Sequence, residues 1–171
     1  MTAVVTDRSQ DQQRYTDARR VHWEAIAQGG DRWRGLGGYY HRRLEEVYRA
    51  QVPAGQQVLE LGCAEGDVLA AVQPSHGVGV DLSAGSIAVA QQRHPQLSFR
   101  VADVHDLSSI EGPFDVVIAS DLLNDLWDVQ AVFGEIARVS HPGTRLVVNN
   151  YSRLWELPLD AAAGLKLAHY R

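Results

Sequence analysis

The sequence predicts an α/β fold, a doubly wound, mostly parallel sheet covered by helices on both faces, and three observations carry that prediction. Short apolar runs alternate with helical patterns from residue 57 onward. The runs, at Gln57–Leu61, Gly77–Val80, Leu97–Val101, Phe114–Ala119 and Arg145–Asn149, suit strands buried on both faces. The first of them leads into Gly62-Cys63-Ala64-Glu65-Gly66 and then a helical pattern, so a glycine-bearing turn joins strand to helix.

Each element has its own signal. Residues 1–14 are polar and expected to be a poorly ordered tail, and Tyr15–Gln28 reads as a lead-in helix stopped by Gly29-Gly30. Within Tyr39–Val52, Tyr40, Leu44, Val47 and Tyr48 recur at helical spacing until Pro53-Ala54-Gly55 ends the run. Core helices are expected at Asp67–Val72, Ala84–Arg93 and Val129–Val139, the last with Val129, Val132, Phe133, Ile136 and Val139 on one stripe. The chain thus divides into a tail (1–14), an N-terminal helical cap (15–54) and an α/β core (55–171). Right-handed crossovers would place a ligand beyond the carboxyl ends of the strands, near the point where strand order reverses.

Composition narrows the function. The 171 residues carry a formal charge of -5 and no basic run longer than the Arg19-Arg20 and Arg42-Arg43 pairs, so a nucleic-acid partner is not expected. Cys63 is the single cysteine, which excludes an intrachain disulfide and agrees with a cytoplasmic location. Seven scattered histidines show no paired ligand spacing, so no metal site is expected. No stretch is apolar over the length of a bilayer, and the first fourteen residues lack the apolar region of a signal peptide.

The chemistry concentrates at strand ends. Gly62 and Gly66 permit a tight turn and a close ligand approach, and the helix that follows offers backbone donors. Glu60, read as pointing toward this loop, would repel phosphate and attract an ammonium group. Asp81 ends the second strand about 20 residues past the glycine turn, placed to accept from ribose hydroxyls, with Ser83 as the better cap for the next helix. Asp103 stands likewise after the third strand, and Asp121 after the fourth. The turn and Asp81 alone fit either a nicotinamide dinucleotide or another adenosyl ligand, but glycines four apart do not make the dinucleotide fingerprint.

Glu60–Gly66 resembles motif I of the class I methyltransferases, E/D-x-G-x-G-x-G, with Ala64 where the family usually has glycine. The resemblance implies a Rossmann-like methyltransferase fold and S-adenosylmethionine as cofactor, with S-adenosylhomocysteine as product. It implies that Glu60, Gly62, Cys63, Ala64 and Gly66 form the cofactor loop, that Asp81 and Leu82 meet the ribose, and that Asp103 and the Val104 backbone meet the adenine. Asp121 then falls in motif IV, facing the sulfonium and substrate, and Tyr40, on a helix that often covers the cofactor in related enzymes, could reach the methionyl end. Ala64 is strained if its backbone requires positive φ.

No secure general base emerges; His41 and Asp121 are the candidates. The expected function is methyl transfer to a small-molecule or lipid or sugar-intermediate acceptor, the alternatives being a non-catalytic S-adenosylmethionine-binding module or an NAD(P)-dependent oxidoreductase. The resembling fold has seven strands and five are legible here, so the C-terminal hairpin is expected to be missing and the chain to be a fragment of a longer protein. An uncovered fifth strand predicts dimerisation or a further C-terminal domain. Trp155, Leu159, Ala163 and Leu167 suggest one more helix. The segments YYHRRLEEVYRAQVP and NNYSRLWE are also similar to methyltransferase domains that precede a glycosyltransferase-like domain in bacterial proteins.

Overall fold

A computed structural model of the chain describes residues 2–29 and 36–150. Two helices, α1 (Thr2–Gln28) and α2 (Leu36–Gln51), precede β1 (Gln57–Leu61), α3 (Asp67–Ala71), β2 (His76–Asp81), α4 (Ala84–Arg93) and β3 (Ser98–Val101). Then come β4 (Phe114–Ser120), a 3-10 turn at Leu123–Asp125, α5 (Val129–Arg138) and β5 (Ser140–Asn149). All neighbouring strands run parallel, in the order β3-β2-β1-β4-β5. Strand order therefore reverses between β1 and β4, which is where an open α/β sheet forms its crevice.

Both faces of the central strands are buried, as their unbroken apolar runs require, while Val101 of β3 and Leu146 and Val148 of β5 stay exposed at the sheet's edges. Val58, Val116, Ile118 and Phe99 pack against Tyr48 of α2 and Val52 just beyond it, Val68 and Leu69 of α3 and Ile87 of α4. On the opposite face Leu59, Leu61, Val78, Val80 and Val117 meet Val132 and Ile136 of α5. Leu59 and Leu61 are fully buried, each contributing about 1.5–3 kcal/mol by removal from water. Between β3 and β4 no helix forms; Val104, Leu107 and Ile110 of the connecting segment cover that part of the sheet instead.

Two boundaries depart from the sequence reading by more than three residues, the others by three or fewer. Of the segment 1–14, expected to be a poorly ordered tail, residues 2–14 are helical, because α1 runs unbroken from Thr2. Its polar side chains bond along the helix, as Gln13 does to Asp17 (3.2 Å), and Arg8 pairs with Asp128 at the start of α5 (3.3 Å). Strand β5 starts at Ser140 instead of Arg145, since Ser140 pairs with Phe114 and a register irregularity between Phe114 and Val116 absorbs Pro142-Gly143. The helix suggested by Trp155, Leu159, Ala163 and Leu167 lies outside the described residues. Among the described residues, no helix is long and apolar enough to cross a membrane.

Candidate functional site

The loop between β1 and α3 is left-handed at three points, Gly62 (φ 69°), Ala64 (φ 46°) and Gly66 (φ 79°). At Gly62 a Cβ would lie 2.9 Å from Leu122 of the segment after β4, and at Gly66 it would lie 2.5 Å from the Phe99 ring. Positive φ favours glycine at both positions, and at Gly66 the Phe99 ring also leaves no room for a Cβ. Ala64 holds the third left-handed position with a Cβ, so the strain anticipated there is present.

Asp81, at the carboxyl end of β2, ties this loop to its own strand. Its Oδ2 accepts from the Ala64 N–H (2.9 Å) and its Oδ1 from the Ser83 N–H (2.8 Å). Ser83 caps α4, accepting from the Ser86 N–H at 3.0 Å. Leu82 follows Asp81, half-buried beside it.

Asp103 stands at the next strand end. Half-burial pushes its carboxyl up, but the His105 ring (2.7 Å) and backbone N–H (2.9 Å), with the Thr16 hydroxyl at 3.4 Å, hold it below the ordinary carboxylate range. Because the other His105 nitrogen accepts from the Asp128 N–H (3.2 Å), the Nδ1 proton faces Asp103. Val104 points its side chain into the core, leaving only its backbone toward the strand end.

Glu60 corrects the sequence reading. Strand alternation puts it on the Val58 face of β1, toward α3, where it is 2 % exposed and its Oε2 accepts from the Leu69 N–H at 3.0 Å. Desolvation pushes its carboxyl well up. Instead of facing a ligand ammonium, Glu60 occupies the first turn of α3 from within the core, where a pyrophosphate would otherwise find its donors. Cys63 is a packed side chain, 4 % exposed, with its thiol pushed up by burial. From outside, Arg93 of α4 reaches Glu65 (2.5 Å) and His94 reaches Asp67 (3.1 Å), fastening the far side of the loop.

Beyond β4 lies a second cluster. Asp121 is left-handed (φ 52°); its Oδ2 accepts from the Tyr40 hydroxyl (2.9 Å) and its Oδ1 from the Asn149 amide (2.6 Å). Tyr48 donates to the Asn149 carbonyl oxygen at 2.5 Å. His41 stands edge-on to the Tyr40 ring, 5.5 Å between centroids. The structure therefore brings Tyr40 and Asp121 together, and adds Asn149 and Tyr48, which the sequence reading treated as strand and helix packing.

Helix α1 lies across the carboxyl ends of the strands. Glu24 accepts from the Ser83 hydroxyl (2.8 Å) and the Gly85 N–H (3.1 Å), and Trp23 donates to Asp125 (3.0 Å), which also pairs with Arg19 (2.9 Å). With Thr16 on Asp103, α1 spans the ends of β3, β2 and β4. Nothing local in its sequence signals this docking.

Glycine turn, Asp81 and Asp103 thus line the carboxyl edge of the sheet in strand order, beside the switch point. Residues 53–169 match the family described as methyltransferase domain. The chain belongs to that family. Among its relatives, a Mycolicibacterium smegmatis protein named "Probable S-adenosylmethionine-dependent methyltransferase" is 32 % identical over 68 % of this chain and 47 % of its own length. The demethylmenaquinone methyltransferase of Beutenbergia cavernae is 34 % identical over 66 % of this chain and 48 % of its own. An S-adenosylmethionine-dependent methyltransferase from Mesorhizobium loti superposes with a TM-score of 0.57 at 26 % identity, covering 64 % of this chain and 54 % of the other. The sheet of this methyltransferase domain is accordingly Rossmann-like. The chain spans about half the length of the curated relatives it matches, or less.

Proposed function

We propose that this domain binds S-adenosylmethionine and transfers its methyl group to a small-molecule acceptor. The observation that carries the reading is the Asp81 carboxylate, fixed between the Ala64 and Ser83 N–H groups at the mouth of the switch-point crevice. The residues present fit the cofactor. The loop turns left-handed at Gly62, Ala64 and Gly66 and would set its backbone against a methionyl chain, Asp81 would accept from ribose hydroxyls beside Leu82, and Asp103 would accept from an adenine amino group beside the Val104 backbone. Glu60 supports the same reading against a nicotinamide dinucleotide, because its carboxyl on Leu69 leaves the α3 N-terminus unfit for a pyrophosphate.

When bound, S-adenosylmethionine supplies an electrophilic methyl group whose departure leaves a neutral thioether. The protein's part is positioning and exclusion of water. Asp81 and the loop hold one end of the crevice, α1 covers the ribose and adenine side through Glu24 and Thr16, and Tyr40 with Asp121 marks the end where the acceptor arrives. A small acceptor suits the net charge of -5, which disfavours nucleic acid, and the demethylmenaquinone named for one relative is of that class. Calorimetry with S-adenosylhomocysteine tests the cofactor half: saturable heat at micromolar to millimolar ligand is expected, and no heat with folded protein overturns it.

A further inference from the structure

We propose that Asn149, oriented by Tyr48, is a positioning residue that presents Asp121 Oδ2 to the acceptor, and that the acceptor is therefore an amine or hydroxyl, a nucleophile carrying its own N–H or O–H. This rests on the methyltransferase reading above.

The chain of donors runs one way. Tyr48 is 2 % exposed, and burial, opposed by the Ser120 hydroxyl on the phenol, pushes it up to about 12, so it keeps its proton and donates to the Asn149 carbonyl oxygen. With that oxygen engaged, the amide can meet Asp121 only through Nδ2, at 2.6 Å from Oδ1. A reversed amide would set oxygen against carboxylate and leave the Tyr48 hydroxyl facing an NH2 group. One carboxylate oxygen is thus pinned to the core through two side chains on α2 and β5.

The other oxygen is held differently. Oδ2 takes the Tyr40 hydroxyl at 2.9 Å, from a half-buried ring, and the Asn149 amide also approaches that hydroxyl at 3.5 Å. Tyr40 shows which chemistry the position recognises, a neutral donor on a flat or flexible carrier. Asp121 takes this aim from a left-handed backbone, φ 52°, a conformation that aspartate tolerates better than most non-glycine residues. An acceptor N–H or O–H can replace the Tyr40 hydroxyl on Oδ2 without disturbing Oδ1. As the acceptor's lone pair forms its bond to the methyl carbon, the pair of the broken C–S bond stays on sulfur. The proton released by the acceptor passes to Oδ2 and then to water.

Sinefungin, in which an ammonium group on carbon stands where the sulfonium methyl stands, tests this by binding alone. Calorimetry on the wild type should give S-adenosylhomocysteine binding and at least tenfold tighter sinefungin binding. With the gain read as the ratio of sinefungin to S-adenosylhomocysteine affinity in the same variant, Asp121→Asn should abolish it, Asn149→Ala and Tyr48→Phe should reduce it at least threefold, and Tyr40→Phe should keep it. A 13C-carboxyl titration of Asp121 in the same variants provides a readout that loss of packing would not reproduce: its midpoint should rise in Asn149→Ala. If S-adenosylhomocysteine binds but sinefungin gains nothing, or if Asn149→Ala leaves both the gain and the titration unchanged, the inference is wrong while the cofactor reading stands. If S-adenosylhomocysteine itself fails to bind, the cofactor reading falls first.

Discussion

The Ala64 N–H donates to the Asp81 carboxylate at 2.9 Å, so the acid at the end of β2 orders the loop that leaves β1. One side chain thereby joins two jobs, shaping the turn and offering acceptors at the crevice. Replacing it by alanine removes hydrogen bonds to a charged group, each worth about 1.5–3 kcal/mol. We expect Asp81→Ala to weaken S-adenosylhomocysteine binding about 10- to 100-fold by calorimetry, with a lesser loss of thermal stability. Unchanged affinity would place the ligand elsewhere.

Ala64 holds φ 46° with a Cβ, a conformation costing about 1–2 kcal/mol for an L-residue, against about 0.5–1 kcal/mol of extra chain entropy for glycine. Ala64→Gly should therefore raise the melting temperature by about 1–4 °C. Ala64→Val, stiffer and branched, should lower it. A fall with glycine would mean that the methyl group contributes packing that outweighs the backbone strain.

Glu60 binds its proton more tightly in the folded chain than the ordinary 4.5, chiefly through desolvation. The folded state then holds more protons than the unfolded state above that pH, so stability declines as pH rises through the window between the two values. Gln keeps an acceptor for the Leu69 N–H without the charge. Denaturant melts from pH 5 to 8 should show Glu60→Gln losing less stability with rising pH than the wild type; identical slopes would remove Glu60 as their source.

Glu24 accepts from Ser83 and Gly85, and these hydrogen bonds, the Gly85 N–H foremost, hold its carboxyl below the usual value. Its contribution is present above the ordinary 4.5 and fades as pH falls through the lowered folded value. Limited trypsin digestion should cut Glu24→Ala faster than the wild type within α1, at Arg8, Arg14 or Arg20, while residues 57–149 resist. Equal rates would show that Arg19, Trp23 and Thr16 suffice to dock the helix.

Much of this was legible in the sequence. Strand β1 and helix α4 match the sequence reading to the residue, because β1 is bounded by Pro53-Ala54-Gly55 and Gly62, and α4 by the Ser83 cap and the His94-Pro95 pair. Asp81, Asp103 and Asp121 fall at strand ends as read. Glu60 follows the pleat of β1, which places it with Val58 in the core and not with the loop. Asn149 carried the same strand-end signal as the three acids but was absorbed into an apolar run. The docking of α1 was invisible, since Thr16–Asp103, Glu24–Ser83 and Trp23–Asp125 join residues 87, 59 and 102 positions apart with no local pattern.

The strand order has a consequence for synthesis on the ribosome. β1, at the centre of the sheet, pairs with β2 soon after emerging, but its other edge waits for Val116–Ala119 of β4. Until then a nascent sheet of β1, β2 and β3 carries Leu59 and Leu61 without the α5 layer that later covers them. Parallel pairing over that separation is slow to close, so the interval between translation of Asp81 and of Arg138 is when a chaperone would find the most to hold.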